Sequence, residues 1–195
     1  MIKVSIIMPA YNSEAFIRKA LSSIPKRDDI EIIVVNDGST DNTAAIAKEF
    51  NVKLIDRKEN MGIGYSRREA LAAAQGEYIM FFDSDDTIVS ENFNLALDML
   101  TGEDIIYYDL KQNDGIVLHL SPATKGIYPG ADKFIKRTYI NQFEYPTRRS
   151  YEDVYFNGEL HSKPHTDKYT NLIIVNYNFP RADSTSAKWA RGECL

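Results

Sequence analysis

Residues 78 to 86 read Tyr78-Ile79-Met80-Phe81-Phe82-Asp83-Ser84-Asp85-Asp86, an apolar run that ends in three carboxylates. The apolar part has the length and composition of a buried β-strand. Ligands bind at the carboxyl ends of strands in parallel α/β sheets, and Mg²⁺ and Mn²⁺ prefer oxygen ligands. The stretch therefore predicts a strand followed by a cation site for a diphosphate. A second interpretation is an acidic loop in which Asp86 or Ser90 caps the next helix.

Two other apolar runs end in polar turn residues in the same way. Val4 to Met8 leads into Pro9-Ala10-Tyr11-Asn12, and Glu31 to Val35 leads into a turn that contains Asp37. An amphipathic segment follows each run, and this alternation predicts an α/β fold with a mixed, mainly parallel sheet flanked by helices. Polar groups from at least three strand ends would then meet at one edge of the sheet.

The second half of the chain has a less regular pattern. It predicts two strands in a hairpin, a further strand and three helices. The strands are Ile105 to Leu110, Ile116 to Leu120 and Leu172 to Val175, and the helices are Ser90 to Leu100, Ala131 to Tyr139 and Ser150 to Leu160.

Length and composition indicate one domain. The chain has 195 residues, of which 44% are apolar, enough for one sizeable core. We expect a single domain over residues 1–195, in which residues 1–100 bind the nucleotide and residues 101–195 form the side of the second substrate. The formal charge of −5 argues against a nucleic-acid partner, since such domains usually have a basic surface.

Cysteine content and hydropathy bear on location. The one cysteine, Cys194, cannot form an intramolecular disulfide, which fits a reducing compartment. The apolar run at the N-terminus is too short for a signal peptide, and no run approaches the length of a membrane span. These features predict a soluble, cytoplasmic protein, and they are compatible with peripheral membrane association.

Four motifs in order resemble those of the family 2 glycosyltransferases, which have the GT-A fold. The motifs are Val4 to Asn12, Val34 to Asp41, Asn60 through Arg67, and Gly76 to Asp86. Later in the chain, Glu152-Asp153 resembles the acidic pair of this family, and Arg181 to Ser186 resembles its late Arg and Ser motif. The resemblance implies a metal-dependent, inverting transfer of a sugar from a nucleotide-sugar, with a UDP-sugar favoured. The acceptor would be a hydroxyl of a glycan, a polysaccharide or a lipid-linked sugar.

The resemblance also implies a role for each matching residue. Asp85, together with Asp83, would bind Mn²⁺ or Mg²⁺, and Asp153 would be the catalytic base with Glu152 beside it. The residues expected to contact the nucleotide or its diphosphate are Pro9, Ala10, Tyr11, Asp37, Arg67, Asp83 and Arg181. Two simpler roles remain open, because Asp37 lies where helix caps occur and any helix favours an acid such as Asp153 in its first turn. Asp41 is assigned to capping alone.

Rival functions are less well supported by the residues. A dinucleotide-dependent oxidoreductase needs Gly-x-Gly-x-x-Gly after the first strand, but Pro9-Ala10-Tyr11-Asn12 stands there, and Gly62-Ile63-Gly64 lacks the third glycine. A sugar nucleotidyltransferase would need a phosphate loop rich in glycine and lysine near the first strand. An inactive nucleotide-sugar-binding module is the remaining alternative, and the presence of both Asp85 and Asp153 argues against it.

Overall fold

A computed structural model describes residues 1–124, 131–149 and 151–179. In this part of the chain one sheet contains nine strands: β1 (Val4–Ala10), β2 (Ile30–Asp37), β3 (Lys53–Arg57), β4 (Tyr78–Phe81), β5 (Thr87–Ile88), β6 (Ile105–Gln112), β7 (Val117–Leu118), β8 (Lys133–Lys136) and β9 (Asp167–Tyr177). The helices of the same ranges are α1 (Ile17–Ser23), α2 (Thr43–Ala47), α3 (Ile63–Ala73), α4 (Ser90–Asp98), α5 (Arg137–Ile140) and α6 (Glu152–Leu160).

The strand order of the sheet is β3-β2-β1-β4-β8-β6-β9-β5, with β7 paired to β6. The first four strands are parallel, whereas β8 is antiparallel to both β4 and β6. Strands β6 and β9 are parallel to each other. The predicted mixed α/β sheet flanked by helices is confirmed. Because β1, β2, β4, β6 and β9 all run in one direction, the loops that follow them lie along the same edge.

Two hydrophobic clusters cover the two faces of the sheet. In β4, Tyr78 and Met80 belong to the cluster with α1, α2 and α4, whereas Ile79 and Phe81 belong to the cluster with α3, α5 and α6. This division follows the two-residue period of a strand. The apolar runs in the sequence are continuous because these central strands are buried on both faces.

The predicted helix from Ala131 to Tyr139 is wrong. Residues Lys133–Lys136 instead form β8, which fills the space between β4 and β6, and α5 begins only at Arg137. Phe134 packs on one face of the sheet, 5.1 Å from Tyr108 between ring centroids, and Ile135 is buried on the other face. Pairing with two neighbouring strands therefore overrides the local pattern.

The last strand is longer than predicted, and one strand was not predicted. The pattern indicated Leu172 to Val175, but β9 spans eleven residues and pairs with both β6 and β5. The two-residue strand β5 is too short to give a periodic signal. One sheet thus joins strands from both predicted halves, and the single-domain assignment over the whole chain stays a prediction. In the described ranges no helix combines the length and the hydropathy that a membrane crossing requires.

Candidate functional site

The ends of β1, β2 and β4 bring three of the predicted motifs to one edge of the sheet. Pro9 and Ala10 end β1 and are buried, and Tyr11 follows them with half of its surface exposed. Ala10 pairs with Asn36, so Asp37 at the end of β2 lies beside this turn. Side-chain contacts join the loops, because Ser13 Oγ lies 2.8 Å from Ser84 Oγ. The loop that follows the first motif is therefore in direct contact with the carboxylate motif.

The carboxylate of Asp37 is largely occupied by donors from the chain itself. Its Oδ1 accepts from Arg57 Nη1 at 2.9 Å and from Met61 N at 3.0 Å, and its Oδ2 accepts from Gly62 N at 2.8 Å. A carboxylate has about four lone-pair positions, so one remains, on Oδ2. Asp37 thus holds the turn before α3 in place. It is not the cap of α2.

Asp41 is not the capping residue of α2, which is Asn42 and makes no side-chain cap bond, but its carboxylate bonds to the backbone of two loops. Its Oδ1 accepts from Thr43 N at 3.0 Å, at the start of α2, and its Oδ2 accepts from Glu14 N at 3.0 Å. These bonds join the loop after β1 to the loop after β2. Asp41 therefore shapes the edge of the site and is not assigned to a ligand.

Arg67 lies inside the protein, with 2% of its surface exposed. Its Nη2 donates to Asp83 Oδ1 at 2.7 Å, and its Nη1 donates to Glu152 Oε1 at 2.6 Å. Burial lowers the pKa of Arg67, but the negative groups around it outweigh this effect and raise the pKa well above the usual range. Arg67 therefore remains charged and links the carboxylate after β4 to the acidic pair of α6.

Asp83, Asp85 and Asp86 have three different surroundings. Asp83 has one oxygen on Arg67, and about a quarter of its side chain is exposed. Asp85 lines a cleft of about 380 Å³ together with Thr87, Asn176 and Asn178. Asp86 is buried and accepts from Asn178 N at 2.7 Å. Because Ser90 Oγ donates to Ser23 O, and α4 has no side-chain cap, the helix-cap interpretation of Asp86 and Ser90 is wrong.

The donor set at this edge suits a cation that arrives with a phosphate-containing ligand. Among the described residues no group of three or more His, Cys, Asp or Glu side chains could hold a metal by itself. Mg²⁺ is usually bound by one or two carboxylates together with waters and substrate phosphates. Asp83, through its second oxygen, and Asp85 match that pattern, so the residues present fit a divalent cation bound together with a diphosphate.

The acidic pair stands at the N-terminus of α6. Glu152 is buried, and this burial raises its pKa although Arg67 opposes the effect. Asp153 is partly exposed, and its Oδ1 accepts from Val154 N at 2.9 Å. Tyr151 precedes the pair with φ 57°, a left-handed conformation that is uncommon for a non-glycine residue. The two acids thus have different surroundings: Glu152 is buried and paired with Arg67, whereas Asp153 is partly exposed.

Tyr177 at the end of β9 was missed by sequence reasoning. Burial raises the pKa of its hydroxyl, and the negative charges of Asp83, Asp86, Asp85 and Asp153 raise it further. The end of β9 lies beside the carboxylate motif, because Asn178 N, in the residue after Tyr177, donates to Asp86 Oδ1 at 2.7 Å. The pattern predicted a strand that ended at Val175, so it gave no sign that Tyr177 belongs to this edge.

Two other features bear on where the site lies. A second depression of about 660 Å³ lies beside Arg57, Met61 and Arg68, but none of the predicted carboxylates lines it. Size alone therefore does not identify the site. Arg181 and the late Arg and Ser motif lie outside the described residues.

A family model described as Glycosyl transferase family 2 matches residues 5–158. The chain is 31% identical over 164 residues to the Escherichia coli UDP-Glc:alpha-D-GlcNAc-diphosphoundecaprenol beta-1,3-glucosyltransferase WfgD, a match that covers 73% of this chain and 64% of that protein. It is 41% identical over 105 residues to the Staphylococcus aureus poly(ribitol-phosphate) beta-N-acetylglucosaminyltransferase TarS, covering 49% of this chain and 18% of that protein. The matches cover between 16% and 64% of the lengths of the curated relatives.

Solved structures show the same fold. Residues 1–349 of S. aureus TarS in complex with UDP-GlcNAc superpose with a TM-score of 0.81 at 24% identity, over 95% of this chain and 61% of that one. The mannosyltransferase PcManGT from Pyrobaculum calidifontis, in complex with GDP-Man and Mn²⁺, gives a TM-score of 0.75 at 17% identity, over 97% of this chain and 60% of that one.

Proposed function

The chain belongs to glycosyl transferase family 2, and we propose that it transfers a sugar, with inversion, from a UDP-sugar to a hydroxyl of a glycan or lipid-linked acceptor. One observation supports this most strongly: Arg67 connects Asp83, at the end of the strand that precedes the predicted cation site, to Glu152, the neighbour of the predicted base. The guanidinium of Arg67 therefore joins the proposed nucleotide side to the proposed acceptor side.

In this proposal the donor occupies the edge formed by β1, β2 and β4. Pro9, Ala10 and Tyr11 frame the nucleotide, and the remaining lone pair of Asp37 accepts a hydrogen bond from the base. Asp83 and Asp85 would hold Mn²⁺ or Mg²⁺, which neutralises charge on the diphosphate when bound. Arg181 remains a predicted contact of the diphosphate.

Asp153 is the proposed catalytic base. It accepts the proton of the acceptor hydroxyl while the acceptor oxygen forms a bond to the anomeric carbon and the bond from that carbon to the diphosphate oxygen breaks. Its position in the first turn of α6, partly exposed and next to anchored Glu152, suits a group that must meet a substrate. Arg67 positions both Asp83 and Glu152. The resemblance implied that Arg67 contacts the nucleotide, but because Arg67 is buried we assign it mainly this positioning role.

The names of relatives and structural neighbours support a nucleotide-sugar donor and differ in the nucleotide. WfgD is named for UDP-Glc, and the TarS structure contains UDP-GlcNAc, whereas PcManGT was solved with GDP-Man. We favour UDP because WfgD, whose match covers 73% of this chain, is named for UDP-Glc, and because the TarS structure contains UDP-GlcNAc. The cytoplasmic location stays a prediction.

Release of nucleoside diphosphate from UDP-glucose, UDP-N-acetylglucosamine and GDP-mannose, each with Mn²⁺, tests the proposal. Slow transfer to water reports donor cleavage even before the acceptor is known. We expect release from a UDP-sugar and a much slower release from GDP-mannose. If no sugar nucleotide is cleaved while UDP binds, the chain is a binding module and the proposed activity is wrong.

A further inference from the structure

Lys133 is one of two basic residues that are buried in the described part of the chain, and the other is Arg67. The ammonium group of Lys133 donates to Asp132 Oδ1 and, at 3.1 Å, to Asn157 Oδ1. It also lies 5.8 Å from the centroid of the Tyr107 ring. Three elements therefore meet at this nitrogen, since Lys133 belongs to β8, Tyr107 to β6 and Asn157 to α6.

The register of β8 places Lys133 beside the end of β4, where the carboxylate motif begins. Strand β8 is antiparallel to β4, and Phe134 pairs with Met80, so Lys133 lies at the level of the last residue of β4. The first turn of α6 is tied to the same edge of the sheet through the bonds of Arg67. Lys133 and Arg67 thus hold α6 to the sheet at two successive points.

Asp153 and Asn157 lie on the same side of α6. An α-helix has about 3.6 residues per turn, so residues four positions apart are neighbours on its surface. The buried positions of α6 are Glu152, Phe156, Asn157 and Leu160, and the exposed ones are Val154, Tyr155, Gly158 and Glu159. By this spacing Asp153 falls on the buried side, yet in the first turn it is partly exposed. The bond from Lys133 to Asn157 therefore anchors the side of the helix that carries the proposed base, one turn beyond it.

This anchor is made of charged and polar groups in a place where apolar side chains could also pack. A buried ion pair is often no more stabilising than apolar residues of the same volume, whereas loss of one partner is costly. Burial raises the pKa of Asp132, and the charge of Lys133 opposes this effect. The ammonium group therefore contributes direction, because hydrogen bonds hold α6 to β8 within a narrow range of distances and angles.

We propose that Lys133 is a positioning residue for Asp153, which it holds at the edge of the sheet through Asn157. This inference rests on the proposed function, because it takes Asp153 as the catalytic base. A displacement of the reacting groups by about 1 Å can lower a rate by about 10²-fold. Loss of the anchor should therefore slow transfer and leave the nucleotide edge of β1, β2 and β4 intact.

Three variants remove the anchor in different ways. Lys133→Met removes the ammonium group and keeps the length of the side chain, but it leaves Asp132 buried without this partner. The double variant Asp132→Asn/Lys133→Met also removes that charge, so it should recover stability without restoring the anchor. Asn157→Leu removes the anchor from the side of the helix. Lys136→Met is the matched control, because it makes the same substitution at the other end of β8, where Lys136 Nζ donates to Gly102 O at 2.8 Å.

Two measurements on the full chain test the proposal. The first is the release of UDP at saturating donor with Mn²⁺, from the UDP-sugar that the parent cleaves fastest, divided by the number of UDP-binding sites that calorimetry counts. The second is hydrogen–deuterium exchange of the amides of α6. We expect the three variants to have rates per site about 10- to 100-fold below the parent, with unchanged affinity for UDP and faster exchange in α6. Lys136→Met should match the parent in both measurements.

A residue with a purely structural role would lower the unfolding midpoint and the number of UDP-binding sites, but not the rate per site. The parental rate per site in the double variant and in Asn157→Leu would therefore overturn the inference, even if Lys133→Met does not fold. An equal fall in rate in Lys136→Met, or a loss of UDP affinity as large as the loss of rate, would also overturn it.

The exchange measurement separates this inference from the proposed function. If the parent cleaves no sugar nucleotide, faster exchange confined to α6 in the three variants would support the anchor while the proposed transfer fails. Unchanged exchange in α6 would then overturn the anchor as well.

Discussion

Arg67 and Glu152 form a buried ion pair in which Nη1 lies 2.6 Å from Oε1, although 85 positions separate the two residues in the chain. The second terminal nitrogen of Arg67 bonds to Asp83. Helix α6 is thereby fixed relative to the carboxylate motif after β4. The position of the proposed base, Asp153, therefore depends on Arg67, which lies far from it in the sequence.

Replacement of Arg67 by Met should destabilise the protein strongly. Glu152 would stay buried without a partner, and breaking a buried pair in this way typically costs about 3 kcal/mol or more. Urea unfolding followed by circular dichroism measures the change. The double variant Arg67→Met/Glu152→Met should recover part of the loss, because it removes the buried unpaired charge. Removing the exposed pair through Arg18→Leu should leave the unfolding midpoint unchanged.

Replacement of Asp85 by Asn should remove the dependence of UDP binding on metal. The parent chain should bind UDP roughly tenfold or more tightly with Mn²⁺ than without it, since Asp83 and Asp85 would hold a cation that neutralises charge on the diphosphate. Calorimetric titration of the variant should give the same weak affinity under both conditions. Asp28→Asn, an exposed acid before β2, is the control. A metal effect that persists undiminished in Asp85→Asn would refute the assignment.

Replacement of Asp153 by Asn should abolish turnover without affecting the donor. Loss of a general base lowers rates by about 10²- to 10⁴-fold. The release of UDP from the UDP-sugar that the parent cleaves fastest measures this loss, and the affinity for UDP should be unchanged. Glu159→Gln, an exposed acid on the same helix, should keep the parental rate. Equal rates for Asp153→Asn and the parent would mean that Asp153 is only a first-turn acid.

Two glycine substitutions should have opposite effects on stability. A Cβ at Gly64 would lie 2.4 Å from Pro146 O and 2.5 Å from Arg148 O, so Gly64→Ala should cost about 1–3 kcal/mol. Gly158, in the middle of α6, has open space around it, so Gly158→Ala should stabilise by about 0.5–1 kcal/mol. Unfolding midpoints in urea compare the two. A neutral Gly64→Ala would contradict the close approach of residues 146–148 to α3.

The first half of the fold could be predicted from the sequence because its signals are local. Strands β1, β2 and β4 are continuous apolar runs that end in turn residues, and parallel pairing then places Asp37 and Asp83 at one edge. Arg67 could be selected from its motif, but its bonds to Asp83 and Glu152 depend on tertiary packing that no local pattern records.

The second half was harder because long-range pairing decides it. Lys133 and Phe134 have no strand-like alternation, yet β4 and β6 leave a gap that only an extended segment fills. Tyr177 belongs to no motif, and its place at this edge depends on the pairing of β9 with β6 and β5.

Calorimetric titration of UDP, GDP and CDP into the purified chain, each with and without Mn²⁺, tests the central claim most directly. The claim is that the edge formed by β1, β2 and β4 is a metal-assisted site for a nucleoside diphosphate. We expect UDP to bind with Mn²⁺ and much more weakly without it, and GDP and CDP to bind more weakly under both conditions. If none of the three binds under either condition, the carboxylates after β4 are structural and the proposed donor site is wrong.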